Sequence, residues 1–212
     1  MAGERLDRAS PVQERGRNTR KAILDAAGAL IISEGPNSFS LQEVADQAGV
    51  PIGSLYHYFA GRPALLRALA ETHLETLRSD LIRELEPFAS KTADNVNFHR
   101  AVKKIITLFE KAYSQDPAFR LVWSASQADA TLKQLDLQDT RQNAKIIARS
   151  LECFVPRMKK SNLLSLCILI CDSISSAVRL SLALDEKERR PIMAQLRGMI
   201  TSHLFAARKK FG

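Results

Sequence analysis

The chain has 212 residues, 45% hydrophobic and 25% charged, an ordinary soluble composition that can bury a core as one large domain or as a small domain joined to a larger one. A formal charge of +8 and a pI near 9.6 point to an anionic partner such as nucleic acid, but composition alone supports only weak, non-specific association. An odd number of cysteines (Cys153, Cys167, Cys171) and no apolar segment after the start methionine argue against export through a signal peptide and for a reducing cytoplasm.

Residues 1–16, MAGERLDRASPVQERG, mix charges with Pro11 and show no apolar period, which reads as a flexible basic arm. From Asn18 the pattern becomes helical: Ile23, Ala27, Leu30 and Ile31 recur at helical spacing, Asn18 or Thr19 can cap the start, and Gly35-Pro36 stops it. Ser40-Leu41-Gln42-Glu43 has the form of a capping box and opens a short helix from about Leu41 to Ala48. Gly49 can end that helix in the left-handed conformation, and Pro51 suits the first position of the next. Pro63 suits the start of a fourth helix, which runs through Leu65, Leu66, Leu69, His73, Leu77, Leu81 and Leu85 towards Pro87.

Val102, Ile105, Ile106, Phe109 and Tyr113 form a stripe that ends before Asp116-Pro117. Phe119, Val122 and Trp123 sit on a shorter helix, and Ile146, Ile147, Leu151 and Phe154 close a longer one before Pro156. Two further helices cover roughly Asn162 to Leu184 and Glu186 to Arg208. With no strand run, low-complexity tract or repeat, the chain is expected to be all α, with about nine helices. The run LLSLCILIC from Leu163 is followed at once by Asp172 and soon by Arg179, short of the roughly 20 apolar residues of a membrane span; a buried helix, and no membrane partner, is expected.

Ala45, Gly49 and Leu55 stand at the spacing of a helix-turn-helix: a small residue for close crossing, a glycine for the sharp turn, and a leucine to plug the space between helices. That spacing also fits a generic helical hairpin. The flanks narrow it. RKAILDAAGALIISEG, SLQEVADQAGV, GSLYHYF and RPALL, in that order between about Arg17 and Leu69, resemble the amino-terminal domain of the tetracycline-repressor (TetR) family of bacterial regulators. The remainder resembles the family in length and helix plan.

The resemblance implies a dimeric, all-helical transcription regulator, usually a repressor. It would have a three-helix DNA-binding domain (17–66) and a larger ligand-binding and dimerisation domain (67–212), with Pro51 to Tyr58 as the recognition helix. Ile52 could touch a thymine methyl and Gly53 could let backbone approach DNA. Ser54, Tyr56, His57 and Tyr58 offer hydroxyl and imidazole groups for phosphates and base edges, while Phe59 anchors the core. Arg62 stands where the family usually carries Lys and would clamp a phosphate; Ser40 and Gln42 would face the backbone from the start of their helix. Arg17, Arg20 and Lys21 could add contacts or simply form a solvated basic surface. Pro51 and Tyr58 depart from the family's usual Ser and His. Residues 1–62 hold 7 Lys and Arg against 7 Asp and Glu, so the whole +8 excess lies in residues 63–212; yet no acidic residue stands between Val50 and Arg62.

The helix from Asn162 is apolar nearly all round in its first half, then serines interleave with Ile174, Val178 and Leu182, so it must be enclosed on several sides. With the last helix (Ile192, Leu196, Met199, Ile200, Leu204) it resembles the family's four-helix dimer interface, implying a homodimer through the last two helices. Phe109, Tyr113, Phe119, Trp123, Cys171, Asp172 and Ser175 are candidates for an effector pocket, with core packing as the alternative for each. Asp172, a carboxylate beside an apolar run, is expected to meet an arginine, a hydroxyl or a ligand. Cys167 and Cys171 share a helical face, but no nearby His completes a ligand set, so no metal and no cofactor is expected.

These observations together give a cytoplasmic, homodimeric repressor that binds a palindromic double-stranded operator and is released by a small molecule of unidentified chemistry. The helix from Arg62 would be the lever between domains. A DNA-binding regulator controlled by a protein partner is the rival. An enzyme built on His73, His99 or His203 is a third reading, without a nucleophile motif or phosphate loop to support it.

Overall fold

A computed structural model describes residues 11–35, 37–89, 94–115, 117 and 130–212. The regular structure of the described residues is helical throughout. Eight α-helices succeed one another: α1 Pro11–Glu34, α2 Leu41–Ala48, α3 Ile52–Tyr58, α4 Arg62–Ala89, α5 Asn95–Gln115, α6 Ala130–Leu151, α7 Lys160–Leu182 and α8 Glu186–Phe211, with a 3-10 turn at Glu152–Phe154. The short helix expected around Phe119, Val122 and Trp123, and the first ten residues of the expected arm, lie outside the described residues. The chain divides into two compact units, 1–70 and 71–212.

In the first unit the core is built from Ile23, Ala27 and Ile31 of α1, Phe39, Val44 and Ala45 of α2 and its approach, Leu55 and Phe59 of α3 and its end, and Leu65 of α4, each at most 3% exposed. α1 begins seven residues before the expected Asn18. Thr19 is not a cap: its hydroxyl donates to the Arg15 carbonyl at 2.9 Å, four residues back inside the helix. The extra turns carry QERGRN, whose side chains bury no apolar face, so periodicity was silent there although Pro11 suits a first helical position. At the other end, Gly35 (φ 96) donates its amide to Ile31 at 3.0 Å and stops α1.

The second unit packs around Leu77, Leu81 and Leu85 of α4 and Phe98, Val102, Ile105 and Phe109 of α5. Ile147 and Leu151 of α6, Leu163, Cys167, Ile170 and Ile174 of α7, and Leu196, Ile200 and Leu204 of α8 complete it. α4 continues past Pro87 to Ala89 rather than stopping before the proline. α7 is, by length and composition, long and apolar enough to cross a membrane over Lys160–Ser181, contrary to the sequence-based count. Six of its apolar residues, Leu163, Cys167, Ile170, Cys171, Ile174 and Val178, are at most 5% exposed within the unit, while Leu169 and Leu180 are 62% and 53% exposed.

Two polar side chains that periodicity passed over lie deep in this unit. Asp139 and Asn143 of α6 are 4% and 1% exposed. Asp139 pairs with Arg78 of α4, and the Asn143 amide donates to the other Asp139 oxygen at 2.6 Å. A buried carboxylate is tolerated because both its oxygens are engaged; even so, burial raises the pKa of Asp139 against the opposing pull of Arg78.

Candidate nucleic-acid interface

The candidate face is assembled by local chemistry at three points. At the first, Ser40 caps α2 (φ −96, ψ 158): its hydroxyl accepts from the Glu43 amide at 3.1 Å, and its own amide donates to Glu43 Oε2 at 2.6 Å. These bonds hold the Glu43 carboxyl below its ordinary range. Two orphan amides of the helix start are thereby satisfied. At the second, Gly49 takes φ 66, ψ 34, and the Val50 amide returns to Ala45 O at 3.0 Å; a residue with a Cβ would be strained there. At the third, Pro51 is not the first residue of α3 but its cap, its carbonyl accepting from Ser54 and Leu55 at 2.9 and 3.3 Å.

α3 is therefore seven residues, IGSLYHY, pinned inward by Leu55 (0% exposed) and at its end by Phe59 (3%). Helical spacing then decides what faces outward. Tyr56 is 56% exposed, Gly53 and His57 are exposed, and Ile52, Ser54 and Tyr58 are half-buried flanks. The His57 ring meets Tyr58 edge to face at 5.2 Å. Nothing lies within 4 Å of where a Cβ on Gly53 would stand, so the helix backbone itself is accessible.

Arg62, expected at a phosphate, also has contacts within the unit. Its Nη1 donates to the Asn37 carbonyl at 2.6 Å and its guanidinium lies 4.8 Å from the Phe39 ring centroid, so it ties the start of α4 to the loop before α2. Gln42 is exposed but donates to Asp46 at 2.8 Å on its own helix. Of the first-helix cations, Lys21 pairs with Asp25 at 2.6 Å and Arg20 lies 5.6 Å over the Phe59 ring, while Arg17 is exposed.

The expected effector residues separate into three groups. Phe109, Tyr113, Cys171 and Ser175 are buried together in the second unit, and burial raises the Tyr113 phenol to about 12 despite its hydrogen bond with Ser175. Asp172, expected to meet an arginine, a hydroxyl or a ligand, is exposed. It lies on the α7 face that also exposes Ser165, Leu169 and Ser176 in the single chain. Phe119 and Trp123 lie outside the described residues. Burial also raises the thiols of Cys167, to about 12, and Cys171, which leaves them protonated and unreactive. Sequence reading missed Arg78, Asp139 and Asn143; the signal available was the i, i+4 spacing of Asp139 and Asn143 beside an otherwise apolar row.

Comparison with known proteins agrees with this architecture. Residues 23–69 match the model described as "Bacterial regulatory proteins, tetR family", and residues 97–207 match "Tetracyclin repressor-like, C-terminal domain". The chain belongs to the TetR family of transcription regulators. It is 30% identical over 136 residues to the HTH-type transcriptional repressor KstR of Mycobacterium tuberculosis, across 62% of this chain and 61% of that protein. The chain thus spans about three fifths of the length of that curated relative. Among solved structures, a TetR-family regulator from Streptomyces coelicolor superposes with a TM-score of 0.69 at 18% identity, covering 89% of this chain and 99% of the other. SmeT, the repressor of the Stenotrophomonas maltophilia multidrug efflux pump SmeDEF, superposes with a TM-score of 0.63 at 17% identity, over 89% and 91%. At such identities these two structures speak for the fold.

Proposed function

We propose that this chain is a DNA-binding transcriptional repressor that acts as a homodimer on a palindromic operator and is released by a small-molecule effector. The observation that carries the DNA-binding part is the outward row of Gly53, Tyr56 and His57 on a short helix locked by Leu55 and Phe59, in a stretch without a carboxylate from Val50 to Arg62. Exposed phenol and imidazole groups on a helix narrow enough for the major groove can read base edges, while flanking hydroxyls hold phosphates. KstR, named as a repressor, supports the direction of regulation.

The homodimer forms through α7 and α8. Leu169 and Leu180 of α7 and Met199 of α8 are 62%, 53% and 69% exposed, apolar area that a second copy would cover. The effector enters the second unit near the Tyr113 and Ser175 pair. Asn143 Oδ1 and Arg78 Nε are buried without a hydrogen-bond partner among the described residues, an acceptor and a donor that a ligand's polar group could satisfy. SmeT has been solved as a complex with triclosan. The effector acts by binding more tightly to the state that does not fit the operator, and α4, whose residues belong to both units, carries the change.

Selection from a randomised duplex pool tests this reading. It should return an inverted repeat with half-sites about one helical turn, roughly 34 Å, apart or a multiple of it. Tyr56→Ala should then lower affinity for that repeat by about tenfold or more while dimer mass and thermal midpoint stay unchanged. Recovery of unrelated sequences, or full affinity in the variant, would overturn the assignment.

A further inference from the structure

Within the second unit, α5, α7 and α8 enclose a hollow of about 380 Å³ that opens to solvent, the size of a small-molecule site. Its floor is apolar: Val178 of α7 and Met193 of α8 are 3% and 8% exposed. Its rim is charged, with Arg189, Arg190 and Arg197 of α8 facing Glu110 of α5. The hollow stands apart from the buried atoms assigned above to the effector, since Asn143 and Arg78 belong to α6 and α4.

The three guanidiniums are not equally matched. Arg197 donates from Nε and Nη2 to Glu110 Oε1 at 3.0 and 2.6 Å, and from Nη2 to Oε2 at 2.7 Å, tying α8 to α5 across 87 residues. Arg189 and Arg190 instead share one counter-ion: both pair with Glu186 about one turn back on α8, Arg190 through Nε at 2.7 Å. Three arginines against Glu110 and Glu186 leave a single positive charge in excess. Exposed pairs of this kind contribute little, so an incoming anion can take one of the two shared guanidiniums at small cost. Ser114 and Ser181 also line the hollow; their hydroxyls donate to the Lys111 and Val178 carbonyls at 3.3 and 2.7 Å, which leaves their oxygens as acceptors. Met199 stands two residues past Arg197, and Leu180 two past Val178, about 200° round each helix at 3.6 residues per turn. The exposed apolar side chains proposed for the dimer therefore point away from the hollow, which stays open in a homodimer built on them.

We propose that this hollow is a second small-molecule site, which takes a singly charged amphiphilic carboxylate. The anionic head lies at Arg189 and Arg190, and the apolar chain lies over Val178 and Met193. The excess charge selects the head: a carboxylate matches one guanidinium through two parallel N–H bonds, whereas a dianion would keep one negative charge unpaired. The floor selects the chain, because an acid without one would leave the apolar wall to water. The site is independent of the operator reading and of the effector position proposed above.

Calorimetric titration of the full-length protein with sodium octanoate, below its micellar range, is the test. The wild-type protein should bind about one octanoate per protomer, and acetate, the same head without the chain, about tenfold or more weakly. Arg190→Ala should weaken octanoate by about tenfold or more, the usual loss for a hydrogen bond to a charged group. Glu186→Gln removes the competing carboxylate and should tighten binding several-fold. Arg149→Ala, which removes an exposed cation from α6 and alters the net charge as Arg190→Ala does, should bind octanoate as the wild type does. Unchanged octanoate affinity in Arg190→Ala, weaker binding in Glu186→Gln, or an equal loss in Arg149→Ala overturns the site. Acetate bound as tightly as octanoate overturns the amphiphilic ligand in favour of a simple anion. A folded wild-type protein that binds no octanoate overturns the proposal outright, and leaves the operator reading as it stands.

Discussion

Gly53 is the second residue of α3, without positive φ and without any atom close enough to forbid a side chain. Glycine is less favourable than alanine in a helix, by up to about 1 kcal/mol in its interior, so neither packing nor backbone geometry accounts for it. Close approach by a bound duplex, under the proposed function, would account for it. Gly53→Ala is therefore expected to raise stability by up to about 1 kcal/mol in chemical denaturation and to weaken duplex binding; equal affinity in the two proteins would remove the close-approach role. Arg62 has a second set of contacts: it bonds Asn37 and stacks on Phe39, and the bond to Asn37 spans 25 residues, which adjacent sequence could not reveal.

α2 is held by bonds that span no more than five residues, which is why its bounds were legible from Ser40, Glu43 and Gly49 alone. Ser40→Ala should cost about 1 kcal/mol, the usual loss for an N-cap hydroxyl. Urea denaturation would measure it, and a loss well under half that figure would mean that the cap is solvated rather than structural. The start of α1 was not legible, because its first turns make no apolar stripe and depend on helix propagation from the buried part of the same helix. α7 was legible as an enclosed helix through its all-round apolarity. Which of its faces met solvent was not, so Asp172 looked demanding while Asp139 on α6 went unnoticed.

The second unit should carry a pH dependence from the half-buried Asp136. Asp136 is raised from the ordinary 3.8 to about 6, chiefly by burial, against the pull of Arg179 and with the push of Asp172 and Asp139. A carboxyl whose folded pKa lies above its unfolded value favours the folded state most when both are protonated, below about pH 4, and that contribution is lost as pH rises through about 6. Asp136→Asn should therefore be more stable than the parent at neutral pH, and the gap should close near pH 4. Denaturation midpoints at the two pH values test the sign; a variant less stable at neutral pH would mean that the Arg179 attraction outweighs desolvation.

Helix order, the two caps around α2, the glycine turn and the inward anchors Leu55 and Phe59 were all present in the linear chain, because each depends on bonds or periodicities that act within one or two turns. Partnerships across longer distances were not. Arg78 meets Asp139 across 61 residues, and Tyr58 meets Gly16, through the packing of separate helices. Burial is a property of what a neighbouring helix covers, so the choice between Asp139 and Asp172 as the internal carboxylate, and the arginine-rimmed hollow between α5, α7 and α8, emerged only when the helices were brought together.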